Sequence, residues 1–459
     1  MKRILLTLIA AAAVTAPLRG GSYAEYYRDM PVALSEPAAP QIPSGSVSIL
    51  DFGGCGDGVT SNTQAFAKAI SALRKQGGGH LIVPAGVYLS GPITLKERID
   101  LHLERNAIIV FSPDRSEHLK DGKARPCISA SKSTDVSITG EGIIDGNGEW
   151  WRGVKRSKVS DVEWKRFKSM GGRETEDGKL WYPFGLKNSP DISEDMLEQE
   201  KMRTHMIRFT DCTRVLVQGV TVQNSPKFHI VPSRCSDVII DGVTVRCPWN
   251  AQNGDGIDIM QSRNVLIVNN TVDVGDDGIC LKGGVGAKAA EGGPCDNILI
   301  ADNTVFHAHG GFVIGSEFSA GISRIVVRNN SFSGTDTGLR FKSGAGRGGV
   351  TSDIWISDIY MTDINDEAIV FQTGYVDRPV GHENAQGLKT EEFLPDFRDI
   401  HISNVVCRGT RTGIAAKGSI STIHDISLRG CTIFYTDKAA DIDDPSMFNM
   451  ENVRLLTFE

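Results

Sequence analysis

Little in this chain invites a metal site or a disulfide framework. Its nine cysteines are an odd number spread over 459 residues, so at least one thiol stays unpaired in a monomer and disulfides do not organise the fold. No C-x-x-C pair and no H-E-x-x-H occurs, which leaves zinc without its usual ligand patterns. No metal and no cofactor is expected. Aromatic residues are few, 7%, against 50 glycines, a balance that suits a turn-rich β protein. Positive charge is not in excess. A net charge of −7 argues against nucleic acid or an anionic membrane as partner, while leaving room for a local basic pocket. The N-terminal apolar run, Ile4 to Val14, is too short to span a bilayer.

That run follows Met1-Lys2-Arg3 and precedes small residues, the pattern of a secretory signal peptide. Residues 1–24 are therefore read as a leader ending near Ser22-Tyr23-Ala24, and the protein as secreted or periplasmic. Residues 25–46, with Pro31, Pro37, Pro40 and Pro43, read as an extended arm. The remainder, 47–459, reads as one domain and a monomer. It opens with a helix over Asn62–Lys75, whose Phe66, Ile70 and Leu73 share one face and which Gly77-Gly78-Gly79 stops.

From His80 onward short apolar alternations recur. Their first residues are Ile99, Val136, Val215, Val238, Val265, Ile298, Ile325, Ile354, Ile400 and Ile426. Several spacings fall at 23, 27, 33, 27, 29 and 26 residues. A second short strand follows most units, as at Thr244-Val245 and Thr271-Val272. Asn-containing corners precede three of these strands: Asn269-Asn270, Asp302-Asn303 and Asn329-Asn330. One motif at one period with such corners predicts an all-β fold, a parallel β-solenoid in which the helix caps the first coil. Two spacings are far longer, 79 residues after Val136 and 46 after Ile354. The excess marks insertions near Asn147–Arg203 and Thr373–Phe393. The first carries Trp150, Trp151, Trp164, Trp181 and Tyr182, rings suited to stacking on sugars.

Coils of similar length superpose equivalent positions. Asn253, Asp255, the pair Asp276–Asp277, His309, and Arg340 with Lys342 each lie about one period apart, so they line one strip. Solvated corner acids would not fall into register over four coils. Gln261 flanks the first cluster and is a candidate for sugar hydroxyls. Lys227 and His229 lie one coil earlier and are candidates for a further subsite.

The ordered set Asn253-Gly254-Asp255, Gly275-Asp276-Asp277, Ala308-His309-Gly310 and Arg340-Phe341-Lys342 resembles the motifs of glycoside hydrolase family 28, the polygalacturonases and their pectin-degrading relatives. Gly254 stands where the family has Thr, and Ala308 where it has Gly. The resemblance implies a right-handed parallel β-helix and hydrolysis with inversion. It implies Asp276 as general acid, Asp255 and Asp277 activating water, and His309 tuning the cluster. Clustered carboxylates raise one another's pKa, which would keep a proton for the acid. Arg340 and Lys342 would meet a uronate carboxylate, and Tyr375 matches a family tyrosine that contacts sugar. The substrate implied is a pectic polysaccharide or oligogalacturonide, with cleavage from a chain end if the first insertion closes the groove. Rhamnogalacturonan or xylogalacturonan hydrolysis, a pectate lyase and a non-catalytic carbohydrate-binding solenoid are the alternative readings.

Overall fold

The computed structural model of the chain describes residues 23–183, 202–376 and 392–458. Most of the leader reading, and most of the second insertion, lie outside them. The described body is a parallel β-helix. The ten apolar positions taken from the repeat stack one on the next, from Ile99↔Val136 and Val136↔Val215 through Val265↔Ile298 to Ile400↔Ile426. A second stack runs Ile128, Ile207, Ile230, Ile257, Ile279, Phe312, Leu339, Ile369 and Ile414. A third runs through Val222, Val245, Val272, Val305 and Phe332. Inward side chains of all three are almost wholly buried. Each Val or Ile so placed contributes roughly 1.5–3 kcal/mol of transfer free energy.

The corners follow from backbone sterics. The residue before each aligned apolar position is left-handed: Asp237 at φ 57°, Asn264 at 53°, Asn297 at 56°, Asp353 at 58°. Asn and Asp visit that region at least cost. In the Asn-Asn corners the first residue makes the turn and the second builds a ladder inside. Asn270 Nδ2 donates to Asn303 Oδ1 and Asn303 Nδ2 to Asn330 Oδ1, both at 2.9 Å. Each of the three amides is buried.

The helix forms over Thr63–Lys75 and lays Phe66, Ala69, Ile70 and Leu73 on the first coils, as the pattern predicts. A 3-10 turn over Tyr23–Tyr27, whose first two residues belong to the stretch read as leader, precedes an extended segment that lies along the outside. Corner side chains catch its backbone: Asp135 Oδ1 accepts from Gln41 N–H (2.8 Å), and Asn297 exchanges two bonds with Ser35. Tyr23, Tyr26, Tyr27, Met30 and Leu34 cover an outward apolar patch of Ile239, Leu266, Leu299 and Val326.

The first insertion is no irregular loop. It holds a helix, Asp161–Ser169, and a small antiparallel sheet of Val154–Lys155, Arg173–Glu174 and Leu180–Tyr182. Its aromatic rings correct the sugar-stacking expectation. Trp151, Trp164, Trp181 and Tyr182 are buried, packing the insertion together and onto the body; Trp150 alone of the five is exposed.

Replacing Asn303 by Ala removes the middle rung of the ladder and strands its neighbours' polar groups. Loss of roughly 1–3 kcal/mol is expected in urea unfolding. An unchanged midpoint would show that the ladder adds nothing to stability.

Candidate active site

Register decides which side chains meet. Because Ile257, Ile279, Phe312 and Leu339 stack, Asp255 lies over Asp277, each two residues before its apolar partner. Asp276 and His309 share the position three before. Backbone bonds tie these residues across coils: Gly256 N–H donates to Asp277 O and His309 N–H to Asp276 O, both at 2.9 Å. Gly275 opens the acidic pair where no side chain fits, since a Cβ there would lie 2.7 Å from three carbonyl oxygens of the 248–251 turn. Gly254 is similarly confined, with Ala251 3.1 Å from its Cβ position.

Strand alternation then sends Asp258, Lys282, Arg340 and Lys342 to the outer face of the same stack. Lys282 is buried, and its ammonium lies 3.3 Å from Asp258, 3.6 Å from Asp255 and 4.0 Å from both Asp277 and Glu317. Lys342 Nζ donates to Asp277 Oδ2 at 2.8 Å, and Arg340 lies 3.8 Å from Asp277 Oδ1. Asp276 accepts from Asn253 N–H (3.0 Å) and Asp277 N–H (3.1 Å), with His309 Nδ1 3.0 Å away. Asn253 itself accepts from Arg203 at 2.7 Å.

Asp255, Asp276, Asp277, His309, Asn253, Arg340 and Lys342 are thus brought together. Tyr375 is at the edge, its ring 5.3 Å from Lys342 Nζ. Lys342 is largely committed to Asp277, which leaves Arg340 as the more available cation. Gln261 is placed elsewhere: its amide donates to Ala289 O and Gly293 O, bracing the 284–293 loop. It sits in the corner beyond the strand, where the chain has already turned away from the strip. His229 is a buried structural residue whose Nδ1 lies 2.8 Å from Asp255 O. Lys227 extends along the Phe228 ring.

Lys282, Asp258 and Glu317 were not singled out as site residues. The period-2 alternation of Ile279-Cys280-Leu281-Lys282 was the available signal. Lys158 and Arg203 come from the insertion, which has no period to place them. Lys158 Nζ lies 2.7 Å from His309 Nε2 and 3.3 Å from Gly275 O.

The protons are distributed unevenly. Burial, then the charges of Asp258 and Asp276, push Asp255 well above the usual carboxylate range. Burial also raises Asp258, to about 7, against the opposing Lys282. Asp276 goes the other way: burial would raise it, but an imidazolium at His309, the hydrogen bond from that ring, and the charges of Lys342 and Lys158 would hold it low. Asp277 is likewise held low by Lys342 in spite of its burial. Burial, with mutual repulsion as the smaller contribution, therefore raises two of the carboxyls, and in the substrate-free site the proton falls on Asp255 and Asp258 and not on Asp276. Asp276, Asp277 and His309 place ligand atoms within 4.8 Å of one another. Lys342, Arg340 and Lys158 crowd the same atoms, a setting that disfavours a divalent cation.

A sequence profile described as glycosyl hydrolases family 28 matches residues 171–447. An exo-poly-alpha-D-galacturonosidase of Dickeya chrysanthemi is 27% identical over 75% of the chain and 59% of its own length. A probable polygalacturonase of Vitis vinifera is 30% identical over 69% of the chain and 60% of its own length. The chain thus spans about three fifths of these curated relatives. The crystal structure of a hyperthermoactive exopolygalacturonase from Thermotoga maritima superposes with a TM-score of 0.73 at 30% identity, covering 92% of this chain and 94% of that one.

Asp258 gives a pH test. Its folded pKa is raised above the unfolded value, so its contribution is intact below about pH 4 and is lost as pH rises through about 7. Asp258→Asn should therefore gain on the wild type across that window, by at most about 1.4 kcal/mol per pH unit, and level off above it. A stability difference that does not vary with pH would contradict the assignment.

Proposed function

The chain belongs to family 28 of the glycosyl hydrolases, and we propose that it hydrolyses α-1,4-galacturonic acid linkages of pectin from a chain end, with inversion. The observation that carries this reading is the cluster itself: three carboxylates, Asp255, Asp276 and Asp277, in register beside Arg340. Inversion needs an acid on one side of the scissile bond and a base for water on the other. Asp276 is the proposed acid, carried over from the family motif. Asp277 Oδ1, on a carboxylate that Lys342 holds ionised, is buried and has no hydrogen-bond donor among the described residues, which makes it a suitable acceptor for the attacking water; Asp255 Oδ1 is equally without a donor but serves only once Asp255 has given up its proton. Asp276 must take up a proton before each turnover, and a substrate that displaces water and covers the cations would favour that uptake. A uronate carboxylate suits the fork of Arg340.

The chain-end part of the proposal rests on the first insertion. Arg203 donates to Gln252 O (2.9 Å) and to Asn253, and Arg152 is bonded to Ser225 O and Asn224. The insertion is therefore fastened to the coils at and just before Asn253, and Lys158 carries it on to Gly275 and His309 beside the acids. A polymer lying along the strip would meet it there. Export, read from the N-terminal leader, would bring the enzyme to its polymeric substrate.

Asp276→Asn should lower kcat on oligogalacturonides by about 10²–10⁴-fold with KM little changed. Wild-type turnover in that variant would refute the role. On polygalacturonate, reducing ends should rise with galacturonate monomer from the first time point while viscosity falls slowly. Rapid viscosity loss at low conversion would sink the chain-end reading, and absorbance from an unsaturated product would point to a lyase instead.

A further inference from the structure

The insertion supplies the site with one side chain that none of the four motifs contains. Lys158 ends the short turn Arg156–Lys158, and the turn is fastened on both flanks. Arg156 N–H donates to Lys179 O (2.7 Å), and its guanidinium reaches Val159 O (2.8 Å) and Asp161. Val159 is buried with Trp164 and Trp181 in the insertion's own apolar cluster. The Lys158 ammonium is thereby held against His309 Nε2 at 2.7 Å. Across the ring, Nδ1 lies 3.0 Å from Asp276 Oδ1.

An ammonium has three donors and no acceptor. At 2.7 Å it donates to Nε2, so Nε2 must carry the lone pair. The single imidazole proton then sits on Nδ1 and points at Asp276. We propose that Lys158 is a positioning residue that holds His309 as the neutral Nδ1–H tautomer, so that Asp276 is oriented by a hydrogen bond and not by a full imidazolium charge.

The consequence for catalysis rests on the reading of Asp276 as the acid. Beside an imidazolium, a carboxyl gives up its proton more readily and is less often in the form that can donate. Beside a neutral N–H it keeps the same orientation without that penalty. The charged groups around the ring are few. Asp276 faces Nδ1. Lys158, with Lys155 near it, faces Nε2, and Lys342 acts on Asp276 from beyond. Asp336 Oδ2 lies 3.9 Å from Nε2 and favours an imidazolium. It is half exposed and farther away, so solvent weakens its pull relative to an ammonium in hydrogen-bond contact.

Histidine ¹⁵N NMR on the intact protein tests this without reference to turnover. His309 in the wild type should show a protonated Nδ1 and an unprotonated Nε2 at neutral pH. In Lys158→Met nothing holds a proton off Nε2, so at the same pH the ¹⁵N shifts should show Nε2 carrying a proton, alone or together with Nδ1. Lys158→Arg keeps an all-donor cation and should retain the wild-type pattern. In turnover, Lys158→Met should lose about tenfold in kcat at pH 5–6 with little change in KM, recovering toward pH 8; a melting curve checks that the insertion still folds. A protonated Nε2 in the wild type at neutral pH, or identical His309 ¹⁵N shifts in wild type and Lys158→Met, would overturn the proposal. Absence of turnover on every pectic substrate would instead defeat the functional reading and leave the NMR result standing.

Discussion

The constraint on which the site depends is the fixed spacing of its coils. Parallel coils lie about 4.8 Å apart and in register, so equivalent side chains are forced into contact range. That brings Asp255 over Asp277 and Asp276 against His309. It also stacks like charges. Two carboxylates about 4 Å apart repel by about 4 kcal/mol at an effective dielectric near 20. The fold answers with cations delivered by the same register. Lys282 and Lys342 leave the outer face of their strands and sink between the acids. One ammonium, that of Lys282, lies within 4.0 Å of four carboxylates. What is left over as protons, on Asp255 and Asp258, is the residue of an incomplete neutralisation.

The same spacing explains how the body can be rigid without disulfides. The nine cysteines are all free thiols. Coil-to-coil cohesion comes from stacked Val and Ile, from the ladder Asn270–Asn303–Asn330, and from the arm that ties corner residues Asp135, Asp237 and Asn297 along one flank. The site sits on a neighbouring stack of this framework, where displacement of any strand by one residue would turn its charged side chains inward.

Much of this was legible in the sequence because it is periodic. Ten apolar positions from Ile99 to Ile426 pair in the register that the spacings imply. The motif residues Asp255, Asp276, Asp277, His309 and Arg340 converge for the same reason. What escaped was either out of period or one alternation away. Lys282 is five residues past Asp277, one of the aspartates that its charge holds in place. Gln261 looked like a neighbour of Asp255, but the left-handed corner at Gln261 itself turns the chain away. Lys158 and Arg203 belong to the insertion, where contacts arise from a local helix and sheet and not from any repeat. The tryptophans there are informative about packing, although their composition suggested a sugar surface.

Chain-end action depends on where the insertion meets the strip, and a crystal structure of Asp276→Asn with an oligogalacturonide tests this most directly. The prediction is a terminal sugar held between the Lys158–Arg203 side and the acids, its scissile oxygen beside residue 276, and the rest of the chain running over Arg340 toward later coils. An oligosaccharide that continued unbroken past the insertion onto the coils before Asn253 would contradict it.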